Sequence, residues 1–177
     1  NCSDTIDCDD NNPRVGGYDE NYNCRCIFEL DTFSHHITCD TTWADSIYVN
    51  YNTIIDSGYC LTISSYAAFA PGARMVVKHG ARLLIDGGFL TRACDELWEG
   101  IEVWGNDTIQ YFDQYFGKIT MTNGAVIEFA QIGIANYCKR SASLTMESGG
   151  IIMAEDAIFR NNEIDVQFFP FRNTWMG

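Results

Sequence analysis

The chain has 177 residues, an apolar fraction of 46% and a formal net charge of −13. That length suits one domain, or one domain with a cap, and the apolar share is enough for a continuous core. The acidic excess argues against nucleic acid or anionic lipid as partner, since both attract Lys and Arg, and no apolar run approaches the roughly 20 residues of a membrane span.

Residues 1–35 differ in composition from the rest of the chain. The run NCSDTIDCDDNNPRVGGYDENYNCRC is rich in Asp, Asn, Gly and Cys and has no apolar period. It reads as a Cys- and Asp-rich N-terminal cap, or as the end of a preceding module. Asp7, Asp9 and Asp10 are candidate calcium ligands, because hard oxygen donors gather there; a solvated acidic turn is the competing reading. No cofactor is otherwise required. Eight cysteines in an acidic, lysine-poor chain point to an oxidising compartment, with Cys2, Cys8, Cys24 and Cys26 the disulfide candidates. Cys24-x-Cys26 is tighter than the usual zinc-ligand spacing. No signal peptide is visible at Asn1, so the start reads as processed or interior.

From residue 36 to 177 short apolar triplets recur. The clearest are Leu61-Thr62-Ile63, Met75-Val76-Val77, Leu83-Leu84-Ile85, Ile119-Thr120-Met121 and Leu144-Thr145-Met146. Gly72-Ala73-Arg74 and Gly80-Ala81-Arg82 each lead into one of them, which reads as a turn and then a short strand. Sorted onto three faces, the triplet centres fall at 37, 62, 84, 120, 145 and 165; at 48, 69, 90, 127 and 152; and at 54, 76, 102, 133 and 158. Most steps are about 20–26 residues, the range of solenoid repeats. The longer steps are assigned to one insertion around 105–117. Alternation puts Ile63, Ile85, Met121 and Met146 in one interior column and Leu61, Leu83, Ile119 and Leu144 in another. Gly58, Gly72, Gly80, Gly87, Gly124 and Gly149 mark the corners, and Asn161-Asn162 offers side chains to corner backbone. The fold class is therefore all-β, a parallel β-helix of about five coils that continues beyond the chain end.

At this point the chain resembles the right-handed parallel β-helix of the pectate-lyase-like superfold over about residues 36–169. More narrowly, LLIDGGFLTRACDELWEGIEVWGN (83–106), GKITMTNGAVIEFAQIGIANY (117–137) and GGIIMAEDAIFRNN (149–162) resemble large secreted proteins of Bacteroidetes-type bacteria, cargo of the type IX secretion system. The resemblance implies a secreted or cell-surface location and an adhesin-like, envelope-associated role. It assigns no chemistry, because fold does not fix function.

The residues themselves give little support to an enzyme. Glycosidic cleavage needs two carboxyl groups at a set separation. The outward row Thr62, Leu84, Thr120 and Thr145 carries none, and Glu102 and Glu128 fall on different faces. Asp95, Glu96 and Glu99 are a further acidic group, either a calcium site or a solvated loop. His35, His36 and His79 form no ligand set, and no catalytic residue is assigned. Binding is better supported. Tyr111, Phe112, Tyr115 and Phe116 lie on the insertion, Trp98 and Trp104 flank the neighbouring corners, and Tyr137 lies on a second loop that leaves at the same corner as the insertion. Exposed rings there suit a polysaccharide or another envelope or extracellular protein; the competing reading is a satellite core. Trp43 and Trp175 read as cap packing. The expectation is a non-catalytic structural and binding module of a secreted or cell-surface bacterial protein. A β-helix polysaccharide lyase or glycoside hydrolase, and a subunit of a cell-surface complex, are the alternatives.

Overall fold

A computed structural model describes residues 15–18, 24–26, 29–106, 112–139 and 147–171. Strands β1 (Val15–Tyr18) and β2 (Cys24–Cys26) form an antiparallel pair. Strand β3 (Ser34–Ile37) follows, and five coils of three strands each come after it. The first coil is β4 (Thr41–Trp43), β5 (Ile47–Val49) and β6 (Asn52–Ile55). The second is β7 (Cys60–Ile63), β8 (Tyr66–Phe69) and β9 (Arg74–Val77). The third is β10 (Arg82–Asp86), β11 (Phe89–Arg92) and β12 (Trp98–Val103). The fourth is β13 (Lys118–Thr122), β14 (Ala125–Glu128) and β15 (Ala130–Ala135). The fifth is β16 (Ile151–Ala154), β17 (Ala157–Arg160) and β18 (Ile164–Gln167).

Every third strand pairs in parallel, which gives three parallel sheets. The first runs β4-β7-β10-β13-β16, the second β5-β8-β11-β14-β17, and the third β3-β6-β9-β12-β15-β18. Among the described residues there is no α-helix. The all-strand winding fits the expected β-solenoid, and the register fixes its interior. Leu61 pairs with Leu83 and Ile63 with Ile85; these pair in turn with Ile119 and Met121. All six are essentially inaccessible to solvent. Each column is therefore buried by its neighbours above and below, not by its own coil. Phe69 and Trp98 add a stacked pair inside, with centroids 4.3 Å apart and planes 11° from parallel.

The corners also pair from rung to rung. Gly58 N donates to Gly80 O, Gly87 N to Thr122 O, and Gly124 N to Asp156 O. The glycines at 72 and 80 adopt φ of +72° and +75°, as their turns require. Asn162 Oδ1 accepts from Ala130 N at 2.9 Å, while its Nδ2 donates to Ile127 O at 3.1 Å. These are the corner bonds expected of that asparagine pair.

The phase of the winding differs from the sequence reading at both ends. His36-Ile37-Thr38 does not open the first face: His36 pairs with Ile54, on the third. The first-face strand is instead Thr41–Trp43, whose single apolar residue, Trp43, belongs to the core. Trp43 is thus a strand residue rather than a cap plug. In the fifth coil Ile151–Ala154 takes the first-face place, Ala157–Arg160 the second and Ile164–Gln167 the third. The first-face columns therefore end on Ile152 and Ala154. Leu144 and Met146 lie outside the described residues. Two insertions, not one, lengthen the steps: the first between β12 and β13, the second between β15 and β16.

Candidate functional site

The first insertion leaves the third sheet at Val103 and returns to the first sheet at Lys118. Its base is closed by Gly117 N donating to Trp104 O at 2.8 Å. Gly105 N reaches Glu147 O at 3.0 Å, which ties it to the second insertion. Near its end Asp113–Tyr115 forms one 3-10 turn. The rings of the insertion divide between two roles. Phe116 is buried, edge-on to Phe171 at 5.7 Å, and seals the loop to the coil end. Phe112 and Tyr115 are exposed and meet edge to face at 6.1 Å.

Tyr115 overhangs a cleft of about 340 Å³ lined by Ser57, Gly58, His79, Gly80, Asn106, Gln114 and Tyr115. The cleft sits at the corner where the third sheet hands over to the first. Three successive coils contribute Ser57-Gly58, His79-Gly80 and the insertion. His79 lies 6.4 Å from the Trp104 ring, and its Nδ1 is buried with no hydrogen-bond partner. A buried polar nitrogen without a partner is costly. Next to it the corner is fixed by charge. Asp56 accepts from Lys78 Nζ at 2.6 Å and meets His36 Nδ1 at 2.9 Å. The Lys78 bond first, then that of His36, holds the Asp56 carboxyl below its ordinary value.

The remaining expected binding residues fall in several places. Trp98 is fully buried in the core, with Nε1 donating to Glu128 O at 2.9 Å. Its ring stacks on Phe69 inside the coil, so it presents no surface to a ligand. Trp104 is half-buried behind His79 and donates to Glu102 Oε2 at 3.0 Å. Tyr137 is buried: its hydroxyl bonds Gln167, its ring packs on Phe169, and burial with the Glu102 charge raises its phenol pKa. Tyr111 lies outside the described residues, as do Asp7, Asp9, Asp10, Cys2 and Cys8 and the side chains of Cys24 and Cys26. Cys94 is disulfide-bonded, whereas Cys39, Cys60 and Cys138 are not.

The carboxylates do not converge. Glu102, on the outer side of the third sheet, is fully buried and accepts from Arg74 Nη1 at 2.9 Å, Trp104 Nε1 and Lys139 N. Glu128, on the second sheet, accepts from Thr91 Oγ1 at 2.8 Å and Arg160 Nε at 2.6 Å. Each is paired with its own arginine, and the two stand on different sheets. Asp95 pairs with Arg92 at the neighbouring corner. Among the described residues no three His, Cys, Asp or Glu side chains gather as a metal site would need, and no helix is long and apolar enough to cross a membrane.

Sequence reasoning located the insertion but missed Ser57, His79, Asn106 and Gln114. A signal for two of them was present. Ser57-Gly58 and His79-Gly80 are corner dipeptides one coil apart, which winding must bring beside the next corner, where the insertion lies. No family model matches the chain, and neither a curated protein nor a solved structure matches it.

Proposed function

We propose that the chain is a right-handed parallel β-helix that serves as a non-catalytic binding module of a secreted or cell-surface bacterial protein, with the insertion corner as its ligand site. The hand follows from the strong preference of parallel crossovers for right-handed connection. The export route and bacterial origin rest on the sequence resemblance alone. The observation that carries the function is the cleft under Tyr115. It combines an exposed aromatic face with Ser57, His79 and Gln114, a mixture that suits a hydroxyl-rich ring such as a sugar. The separate, arginine-paired settings of Glu102 and Glu128 weigh against the lyase or hydrolase alternative.

A polysaccharide array probed with the intact chain and with Tyr115→Ala and Gln114→Ala tests this. Ligands retained by the parent and lost by both variants support the cleft. Equal binding by all three proteins removes it.

A second reading, a subunit of a surface complex, draws support from the last coil. The outer edges of β16, β17 and β18 have no strand partner among the described residues. Met153, Ile158, Ile164 and Phe168 are exposed around them. Open strand edges with an apolar rim invite pairing with further β-structure.

A further inference from the structure

Arginine and lysine are scarce here, and nearly all those described are engaged. Arg74 meets Glu102, Lys78 meets Asp56, Arg92 meets Asp95 and Arg160 meets Glu128. Lys139 donates through Nζ to Glu99 O. Among the described residues only the side chains of Arg82 and Lys118 have no such partner. They are not scattered. Arg82 and Lys118 are direct register partners on β10 and β13 of the first sheet. Their neighbours Leu83 and Ile119 point inward and are buried, so both cations point outward. Like charges directly opposite on adjacent strands destabilise a sheet. A chain with 24 acidic residues against 11 basic ones has ample means to avoid such a pair, yet places it here.

The pair lies in a groove of about 220 Å³ with Cys60, Leu83, Leu84 and Thr120. Cys60 is the next rung below Arg82. Two acids on the same or neighbouring rungs are turned to other work. Asp40 Oδ1 accepts from Cys60 N at 2.9 Å, and Asp86, at the far end of β10, accepts from Thr122 and Asn123. The groove follows the cleft along the chain, as the residues lining the two show. Ser57-Gly58 precedes Cys60 and His79-Gly80 precedes Arg82 by two or three residues, and Tyr115 precedes Lys118 by three. At about 3.3 Å per extended residue the two are within roughly 10 Å.

We propose that the cleft and the groove form one site for a saccharide bearing an oxyanion, a sulfate ester or a carboxylate, with a sugar ring against Tyr115 and the anionic group held between Arg82 and Lys118. This rests on the cleft being a saccharide site and adds the charge of its ligand. Arg82 offers a planar fork of donors and Lys118 a point charge, one strand spacing apart. A bound oxyanion relieves their mutual repulsion, which nothing else described in the protein does.

Calorimetry with three probes tests the assignment: a sulfated galactose hexasaccharide, the same oligosaccharide after desulfation, and a hexameric oligouronate. The parent protein should bind one or both acidic probes at least about tenfold more tightly than the neutral one, the scale of one charge-assisted contact. Which acidic probe binds better identifies the oxyanion. The preference should shrink as salt rises and vanish in the double variant Arg82→Gln/Lys118→Gln, while Tyr115→Ala should weaken all three probes alike. Both substitutions in the double variant are on the outer face, and a Tm no lower than the parent's confirms that it folds. If the double variant keeps the parent's preference while Tyr115→Ala abolishes binding, the charge assignment is overturned and the cleft stands. If no probe binds the parent protein, both are overturned.

Discussion

Replacing Glu102 with Gln removes one charge from the outer side of the third sheet and little else in volume. The carboxylate is fully enclosed, and it is the acceptor for Arg74, Trp104 and the backbone of Lys139. Arg74 itself has a side chain only 14% exposed, so the substitution strands a guanidinium with little water around it. Breaking a buried pair from one side costs about 3–5 kcal/mol. Because Arg74 keeps some solvent and the amide oxygen can still accept one bond, the lower half of that range applies, about 3 kcal/mol. For a chain of this length that lowers Tm by roughly 6–12 °C. The half-exposed pair of Lys78 and Asp56 sets the contrast: its loss should cost about 1 kcal/mol or less. Urea unfolding read by the fluorescence of the buried Trp98 measures both. The double variant Arg74→Met/Glu102→Leu should recover much of the loss, since a buried pair replaced as a unit is often neutral. A cost for Glu102→Gln no larger than for Asp56→Asn would show that the carboxylate is open to water, and would refute the placement of Lys139 and Trp104 over it.

Three further outcomes concern single positions. Gly100 has φ of +93° where β12 meets the register shift at Gly133 of β15, and a Cβ there would collide with the carbonyl oxygen of Ile132 on the next coil; Gly100→Ala should cost about 3 kcal/mol, against about 1 kcal/mol for Gly124→Ala, whose φ is +74° but whose surroundings are open. Ile85→Ala empties the middle of a column between Ile63 and Met121 and should cost about 2–5 kcal/mol in the same unfolding assay. Asp56 has its folded pKa held below the ordinary 3.8, so its contribution is complete above that pH and is lost as pH falls below it. Asp56→Asn should therefore reduce stability at neutral pH and flatten the acid limb of a stability–pH curve below about pH 4; an unaltered acid limb would show that the Lys78 and His36 bonds do not form in solution.

The interior of the winding was legible because alternation is a local property. In Leu61-Thr62-Ile63 and Ile119-Thr120-Met121 the two apolar ends must share a side of the strand. Phase was not legible, because the three faces use the same triplet chemistry and only spacing tells them apart. Thr41-Thr42-Trp43 offers one apolar residue and hides as a strand, so His36-Ile37-Thr38 took its place on the first face. The second insertion contains Leu144-Thr145-Met146, which has the pattern of a rung and hid the extra length. At the candidate site the aromatic residues signalled a corner but not their own exposure. Trp98 sits at the start of a strand whose alternation is broken by the left-handed Gly100, and nothing local marks it as inward. The partnership of Arg82 with Lys118 depends on a register across 36 residues, spanning the whole first insertion, and only the stacked coils reveal it.

The winding itself is tested most directly by backbone nuclear Overhauser contacts at Leu84 in solution. The account predicts contacts to both Thr62 and Thr120, its parallel partners on either side. Contacts instead to residues 75–77, with the close α-proton pairs of an antiparallel hairpin folded at Gly80, would contradict it.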